Sequence, residues 1–247
     1  KRSGPLRFLA PLLAVLVLLV LITESLALGS RTLSPEEVWQ GFLVYDNSVA
    51  SKVVWGLRIH RTILAIVVGA SLAVAGVVMQ ALTRNPLAEP GILGVNAGAS
   101  LAVVAAIGGL GLTSVNQYLP FAFAGAAAAA VLVHMMSRRS ADSGPARLVL
   151  AGVALGASLS SITGTITMYN SKIFDSYRFW VVGSLENRKL EVLLWVAPFL
   201  AVGLVLALAS AHSLNALALG DEQATALGMN LAVVRGVAFV ALTLLCG

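Results

Sequence analysis

One cysteine, three histidines and 11% charged residues are the whole reactive inventory of 247 residues. A lone thiol, Cys246, excludes an internal disulfide and a cysteine-rich metal site. The histidines, His60, His134 and His212, are scattered and lack the His-Glu-x-x-His spacing of a helical zinc site, so no metal site is expected. No Gly-rich loop ends in Lys-Ser or Lys-Thr, so the chain has no phosphate cradle for ATP. Ser158 and Ser161 have no base placed for them on a neighbouring segment, which disfavours hydrolysis within a membrane. Charge is scarce against the ~25% of ordinary soluble domains. The net charge of +5 is not interleaved with aromatics, so it reads as basic residues flanking membrane spans rather than a nucleic-acid surface.

Hydrophobic residues make up 58% of the chain and gather in seven runs. These are Leu6 to Leu28, Thr62 to Leu82, Ile92 to Gly109, Leu119 to Met136, Leu148 to Met168, Val192 to Ala211, and Leu231 onward. Each complete run holds 18 to 23 residues, close to the ~20 that a helix needs to cross ~30 Å of hydrocarbon. The runs are continuous rather than alternating, which excludes barrel strands. The expected fold is an all-α, polytopic transmembrane helical bundle of about seven spans. The last run stays apolar to Gly247, so the chain is expected to stop inside a span of a longer protein.

Lys1, Arg2 and Arg7 before the first span favour an N-terminus on the cytoplasmic side of the cell membrane. Counting all flanks gives a tie: Arg84, Arg138, Arg139, Arg147 and Arg235 join the inner set, while Arg31, Lys52, Arg58, Arg61, Lys172, Arg178, Arg188 and Lys189 fall outside. The first flank and the basic loop Ser137 to Arg147 decide for N-in. The outer segment Gly29 to Arg61 contains Ser34-Pro35-Glu36-Glu37, a capping box with proline at the first helical position, and predicts a short interfacial helix. Arg58 and Arg61, three apart, share a helix face at the mouth of the second span. They can anchor the span at the headgroups or meet an acidic partner. Gly69, Ala73 and Gly76 offer a small-residue packing face within that span.

The stretch Gln80 to Gly98 organises the chain. Pro86 and Pro90 push Asn85 and Glu89 out of helical geometry, giving a stiff turn. Arg84 and Glu89 read as its charge pair, and Gly94 with Gly98 admits a close helix backbone. The run Asn85-Pro86-Leu87-Ala88-Glu89-Pro90-Gly91, preceded by Met79-Gln80 and followed by Leu93-Gly94-Val95, resembles the permeases of binding-protein-dependent ABC importers of the ferric siderophore and vitamin B12 type, the FecCD family. The likeness runs from about Arg31 to the end of the chain.

Span five carries Gly152 and Gly156, then hydroxyls throughout. Ser158, Ser161 and Thr165 lie on one side, with Met168 following at the same spacing. Such a helix lines a polar route or a subunit boundary, although each hydroxyl can also bond back to its own helix. Leu150 to Gly156 is similar to the start of the family's helix beside the translocation path. Phe179-Trp180-Val181-Val182-Gly183-Ser184-Leu185, in what reads as an outer loop, is similar to its tryptophan-then-Gly-Ser signature. Ser213 to Met229 is too polar for a span and predicts two short helices separated by Gly220, with Asp221 and Glu222 at the second N-terminus and Gly228 at its end. Leu219, Gly220, Asp221, Glu222, Ala224, Leu227 and Gly228 resemble an ABC coupling loop. Glu222, Ala224 and Gly228 match its Glu-Ala-Ala-x-x-x-Gly spacing, and Gln223 departs from it.

The resemblance implies a BtuC-like, type II importer permease forming a single transmembrane domain over residues 1–247. Such permeases have roughly ten spans of about 20 residues each, which would leave about three beyond this chain. It implies a second permease subunit, identical or related, two ATPase subunits that bind ATP and Mg, and an extracytoplasmic binding protein docking at Arg58 and Arg61, where His60 replaces the family's proline. The chain itself would bind no cofactor and no nucleic acid. The implied cargo is an iron–siderophore complex, with cobalamin or haem as alternatives. An ion-driven secondary transporter is disfavoured by the lack of an acidic residue at mid-membrane.

Overall fold

Uninterrupted apolar runs leave the backbone no partner but itself, and they become helices. The computed structural model describes residues 6–29, 31, 33–46, 48–112, 114–138, 145–185 and 190–246, and no strand occurs among them. The helices are α1 (Leu6–Ala27), α2 (Pro35–Leu43), α3 (Val49–Val53), α4 (Ile59–Thr83), α5 (Val95–Leu110), α6 (Val115–Arg138), α7 (Pro145–Tyr169), α8 (Ser171–Val182), α9 (Leu190–Ala209), α10 (Ala211–Leu219), α11 (Asp221–Ala226) and α12 (Leu231–Cys246). Among the described residues, five segments are long and apolar enough to cross a membrane: 9–27, 49–83, 116–137, 146–169 and 190–209. The third and seventh expected spans are 16-residue helices instead, α5 and α12. Pro90 opens a 3-10 turn over Pro90–Leu93, and α5 starts only after Gly94. The basic loop 139–144 and Arg188 and Lys189 lie outside the described residues.

The chain divides into two units, one of residues 1–67 with 185–193, the other of 68–184 with 194–247. In the first, α1 turns Leu12, Leu13, Leu16 and Leu19 outward, the pattern of a helix whose solvent is lipid. The capping box forms as expected: the Ser34 Oγ accepts from the Glu37 N–H at 3.2 Å, and Glu37 Oε2 accepts from the Ser34 N–H at 2.7 Å. That bond holds the exposed Glu37 carboxyl below its ordinary value. Gly41 of α2 lies against the Ala50–Ser51 backbone, where a Cβ would come within 3.0 Å of Ser51 N. Phe42 and Trp55 stack at 5.8 Å.

The second expected span begins earlier than its apolar run. Ser48 caps α3, and a π-helical turn over Val54–Arg58 leads into α4 without a break, because His60 supplies no proline to end the helix.

In the second unit α5 packs on both α6 and α7. Val95, Gly98, Ala99, Val103, Val104 and Ala106 are buried, so α5 is a core helix and not a lipid-facing one. Glycines set the crossings. A Cβ on Gly98 would overlap the Gly125 carbonyl of α6, and one on Gly125 would overlap the Gly98 carbonyl, so the two backbones touch. Gly203 of α9 instead makes room for side chains of α12, and a Cβ there would stand 2.9 Å from the Leu245 Cγ. The small-residue face of α4 behaves otherwise. Cβ atoms at Gly69 or Gly76 would meet nothing within 4 Å, so neither glycine serves a close helix approach among the described residues.

Candidate functional site

The turn after α4 is built from its own polar groups. Asn85 Oδ1 accepts from the Leu87 N–H at 2.9 Å, and Gln80 Nε2 donates to the Pro86 carbonyl at 2.9 Å. Glu89 is extended at φ −116°, as a residue before proline should be, and Pro90-Gly91 begins the 3-10 turn. Ala88 and Leu93 are buried, while Leu87 is 86% exposed. Gly94, at φ 71°, sits against Gly152 and Gly156, and a Cβ on Gly152 would overlap the Ile92 carbonyl. The turn and α7 therefore meet backbone to backbone.

The charge pair expected within the turn does not form there. Arg84, a non-glycine residue at φ 52°, reaches across 137 residues to Asp221 and donates through Nη2 to its Oδ1. The left-handed backbone costs of order 1 kcal/mol and is held by these partners. Arg84 Nε also donates to the Leu217 carbonyl at 2.8 Å, near the end of α10. The other oxygen of Asp221 receives Arg235 Nη2 of α12 at 2.7 Å. One carboxylate thus holds two guanidiniums, each only partly exposed. A turn cannot reveal this partner from spacing, but span parity could have. With the seven apolar runs counted as spans, four separate Arg84 from Asp221, which puts both on one side of a membrane.

The segment 211–228 forms the two short helices expected, broken at Gly220 with φ 130° and ended by Gly228 at φ 81°. Leu217 and Ala224 face inward at 1% and 0% exposure. Leu219, Glu222, Leu227 and Gly228 are exposed, presenting two leucines and a carboxylate on one short projection.

On α7, Ser158, Ser161, Thr165 and Met168 are all exposed and Thr163 and Thr167 are buried. Every one of these hydroxyls donates to a carbonyl of its own helix: Ser158 to Ala154 at 2.8 Å, Ser161 to Ala157 at 2.9 Å, Thr165 to Ser161 at 2.9 Å. With their protons so occupied, the exposed oxygens offer only lone pairs outward. Asn170, which extends the polar series in sequence, serves the next helix instead. Its Oδ1 caps α8 by accepting from the Lys172 and Ile173 N–H groups. The stretch read as an outer loop is thus largely helix, with Ile173 against Gly108 of α5.

Arg58 is 3% exposed and donates to the Leu26, Ala27 and Arg31 carbonyls at 2.7, 2.9 and 2.6 Å. Arg61, half-buried, donates to the Ser25 and Leu28 carbonyls at 2.6 and 2.9 Å. Both guanidiniums cap the C-terminal end of α1, where carbonyls lack intrahelical partners and the dipole favours a cation.

Five segments among the described residues long and apolar enough to cross a membrane define a multi-pass membrane protein. The chain belongs to the FecCD transport family, whose model matches residues 16–247. It is 41% identical over 236 residues to the ferric enterobactin transport system permease protein FepD of Escherichia coli (strain K12), covering 94% of this chain and 70% of that one. The Fe(3+)-citrate import system permease protein YfmD of Bacillus subtilis (strain 168) is 38% identical, with coverages of 95% and 70%. The hemin transport system permease protein HmuU of Yersinia pestis is 34% identical, with 93% and 68%. Among solved structures, an inward-facing conformation of a metal-chelate type ABC transporter superposes with a TM-score of 0.76 at 27% identity, covering 94% of this chain and 71% of that one.

Proposed function

We propose that the chain is the permease subunit of an ATP-driven importer of an iron–siderophore complex in the cell membrane, with its N-terminus in the cytoplasm. It pairs with a second permease subunit, carries two ATPase subunits on its inner side, and receives cargo from an extracytoplasmic binding protein. ATP and Mg bind the ATPases, and this chain has no hydrolytic role.

The observation that carries the reading is the projection 219–228, where exposed Leu219, Glu222 and Leu227 surround a buried Ala224. A protein groove takes such a knob, since the leucines supply apolar area and Glu222 fixes orientation. The exposed face of Ser158, Ser161, Thr165 and Met168 supports a path wall, because uncharged acceptor oxygens pass a polar cargo without holding it. Of the outer arginines, Arg61 retains Nε and Nη1 beyond its two carbonyl bonds for a carboxylate on the binding protein, and Arg58 fixes the α1 end beneath it. The 41% identity to a ferric enterobactin transport permease supports an iron–siderophore complex as cargo.

The test is purification of the tagged full-length chain in mild detergent, followed by reconstitution with its ATPase and binding protein. Radioiron-labelled ferric enterobactin, hemin and cobalamin are offered in parallel. ATP-dependent uptake of the iron chelate is the expected result. Uptake of hemin or cobalamin alone reassigns the cargo, and a folded chain that recruits no ATPase refutes the importer.

A further inference from the structure

We infer that Arg84 is the transmission residue between the ATPase-facing projection and the path helix, and that the turn 84–94 works as a rigid link. The inference rests on the importer reading above and names how its two ends are joined.

One end is an electrostatic grip. Arg84 engages the projection at two points, the Asp221 carboxylate that opens α11 and the Leu217 carbonyl of α10. Two bonds from one planar guanidinium fix direction as well as distance, which a lysine could not do. Arg235 holds the second Asp221 oxygen, so the carboxylate cannot rotate away without losing a bond at 2.7 Å. The other end is steric. The turn runs from Arg84 through buried Ala88 and Leu93 to Gly94, which is seated on Gly152 and Gly156 of α7. With no side chain at this junction, there is no rotamer to absorb a displacement, and close-packed backbone passes it on. Ser161 lies five residues beyond Gly156, about 7.5 Å along the helix axis. A movement of α11 thus has a contiguous packed route to the exposed hydroxyl face, of the kind that energetic coupling requires.

Between its two ends the link is stiff. Asn85, Gln80 and Pro86 tie the turn to itself, and Pro90 fixes its exit. Arg84 is held at φ 52°, so loss of its partners lets the residue relax to ordinary helical or extended backbone and slackens the link at its first residue.

The test needs no knowledge of the cargo. In the full-length chain every native cysteine, Cys246 included, is replaced by serine, Ser161→Cys then supplies one reporter thiol, and the chain is reconstituted with its ATPase. ATP turnover is measured together with the maleimide labelling rate at the reporter, without nucleotide and with ATP plus vanadate. In the parent, nucleotide changes the labelling rate. Arg84→Gln is expected to recruit the ATPase and turn over ATP while the nucleotide effect on labelling falls by about tenfold, within the range of typical coupled sites. Arg84→Lys is expected to restore only part of it. The double variant Arg84→Gln with Asp221→Asn is expected to show the same nucleotide response as Arg84→Gln alone, with the lost Arg235 bridge lowering its thermal stability. An Arg84→Gln variant with the parent's nucleotide response refutes the transmission role and leaves the importer standing. A variant that loses thermal stability and ATPase recruitment together also refutes it, since Arg84 is then structural. A parent that recruits no ATPase refutes the importer and the link with it.

Discussion

Gly125→Ala is the sharpest test of how the second unit is held together. The new methyl would overlap the Gly98 carbonyl and stand 2.5 Å from the Ala102 Cβ, against about 3.5–4.0 Å for an ordinary carbon contact. The obstacle is backbone, so no side-chain rotation relieves it. α5 and α6 must part by about 1 Å, enough to forfeit a quarter to a half of the dispersion energy along the seam. The expected cost is about 3 kcal/mol, the upper end for overpacking. At ~2–4 °C per kcal/mol for a chain of this size, the melting temperature falls roughly 6–12 °C. The assay is thermal unfolding in detergent followed by tryptophan fluorescence, with Gly69→Ala as the matched control. A Cβ at Gly69 meets nothing within 4 Å, so the control is expected to be neutral or stabilised by up to about 1 kcal/mol through helix propensity. Equal melting temperatures for the two variants would refute the claim that the α5 and α6 backbones touch.

Arg58→Gln strips the α1 end of donors to Leu26, Ala27 and Arg31 in a buried setting, and is expected to cost about 2 kcal/mol in the same unfolding assay, more than Arg61→Gln at its half-exposed site. Ser34→Ala removes the cap of α2 and is expected to speed hydrogen exchange there roughly fivefold, the equivalent of about 1 kcal/mol. Glu37 gives α2 a pH dependence of known sign. Its carboxyl is depressed, chiefly by the Ser34 N–H, so α2 protection is complete above the ordinary value of 4.5 and is lost as pH falls through the lower folded value. Exchange at α2 that is indifferent to acid would count against the bond. Gly220→Ala forces a side chain onto φ 130°, ψ 155°, at about 1–3 kcal/mol, and is expected to lose ATPase recruitment in a pull-down while the spans stay folded.

Local rules were legible wherever they act over a few residues. Ser34-Pro35-Glu36-Glu37 gave its capping box, Gly220 its break, and Gly94 with Gly98 their close backbones. Long-range pairing was not. Arg84 has an acid five residues away in Glu89 and another 137 away in Asp221, and proximity in sequence favours the wrong one. Asn170 shows a related limit: it follows the span-five hydroxyls in sequence, yet it is the cap that starts α8. Hydropathy likewise cannot tell a lipid-facing span from a core helix. α5 is as apolar as its neighbours, yet it is buried among them and needs only 16 residues.

Scarce charge makes each guanidinium's placement informative. In both units arginine is spent at a helix end: Arg58 and Arg61 on carbonyls at the end of α1, and Arg84 through Nε on the Leu217 carbonyl of α10, which also accepts the Gly220 N–H at 3.2 Å. A carbonyl at such an end is desolvated by apolar neighbours and costs ~1–3 kcal/mol if left alone. One arginine satisfies it with a charge that the helix dipole also favours. What separates the sites is the remaining donor. At Arg58, Nη1 and Nη2 all end on carbonyls of one short stretch, so the residue fastens. At Arg84 the remaining donor ends on the carboxylate of another helix, so the residue connects two segments far apart in sequence. An arginine of the second kind is expected to matter more for coupling than for folding, and Arg84→Gln set beside Arg58→Gln measures that difference within one chain.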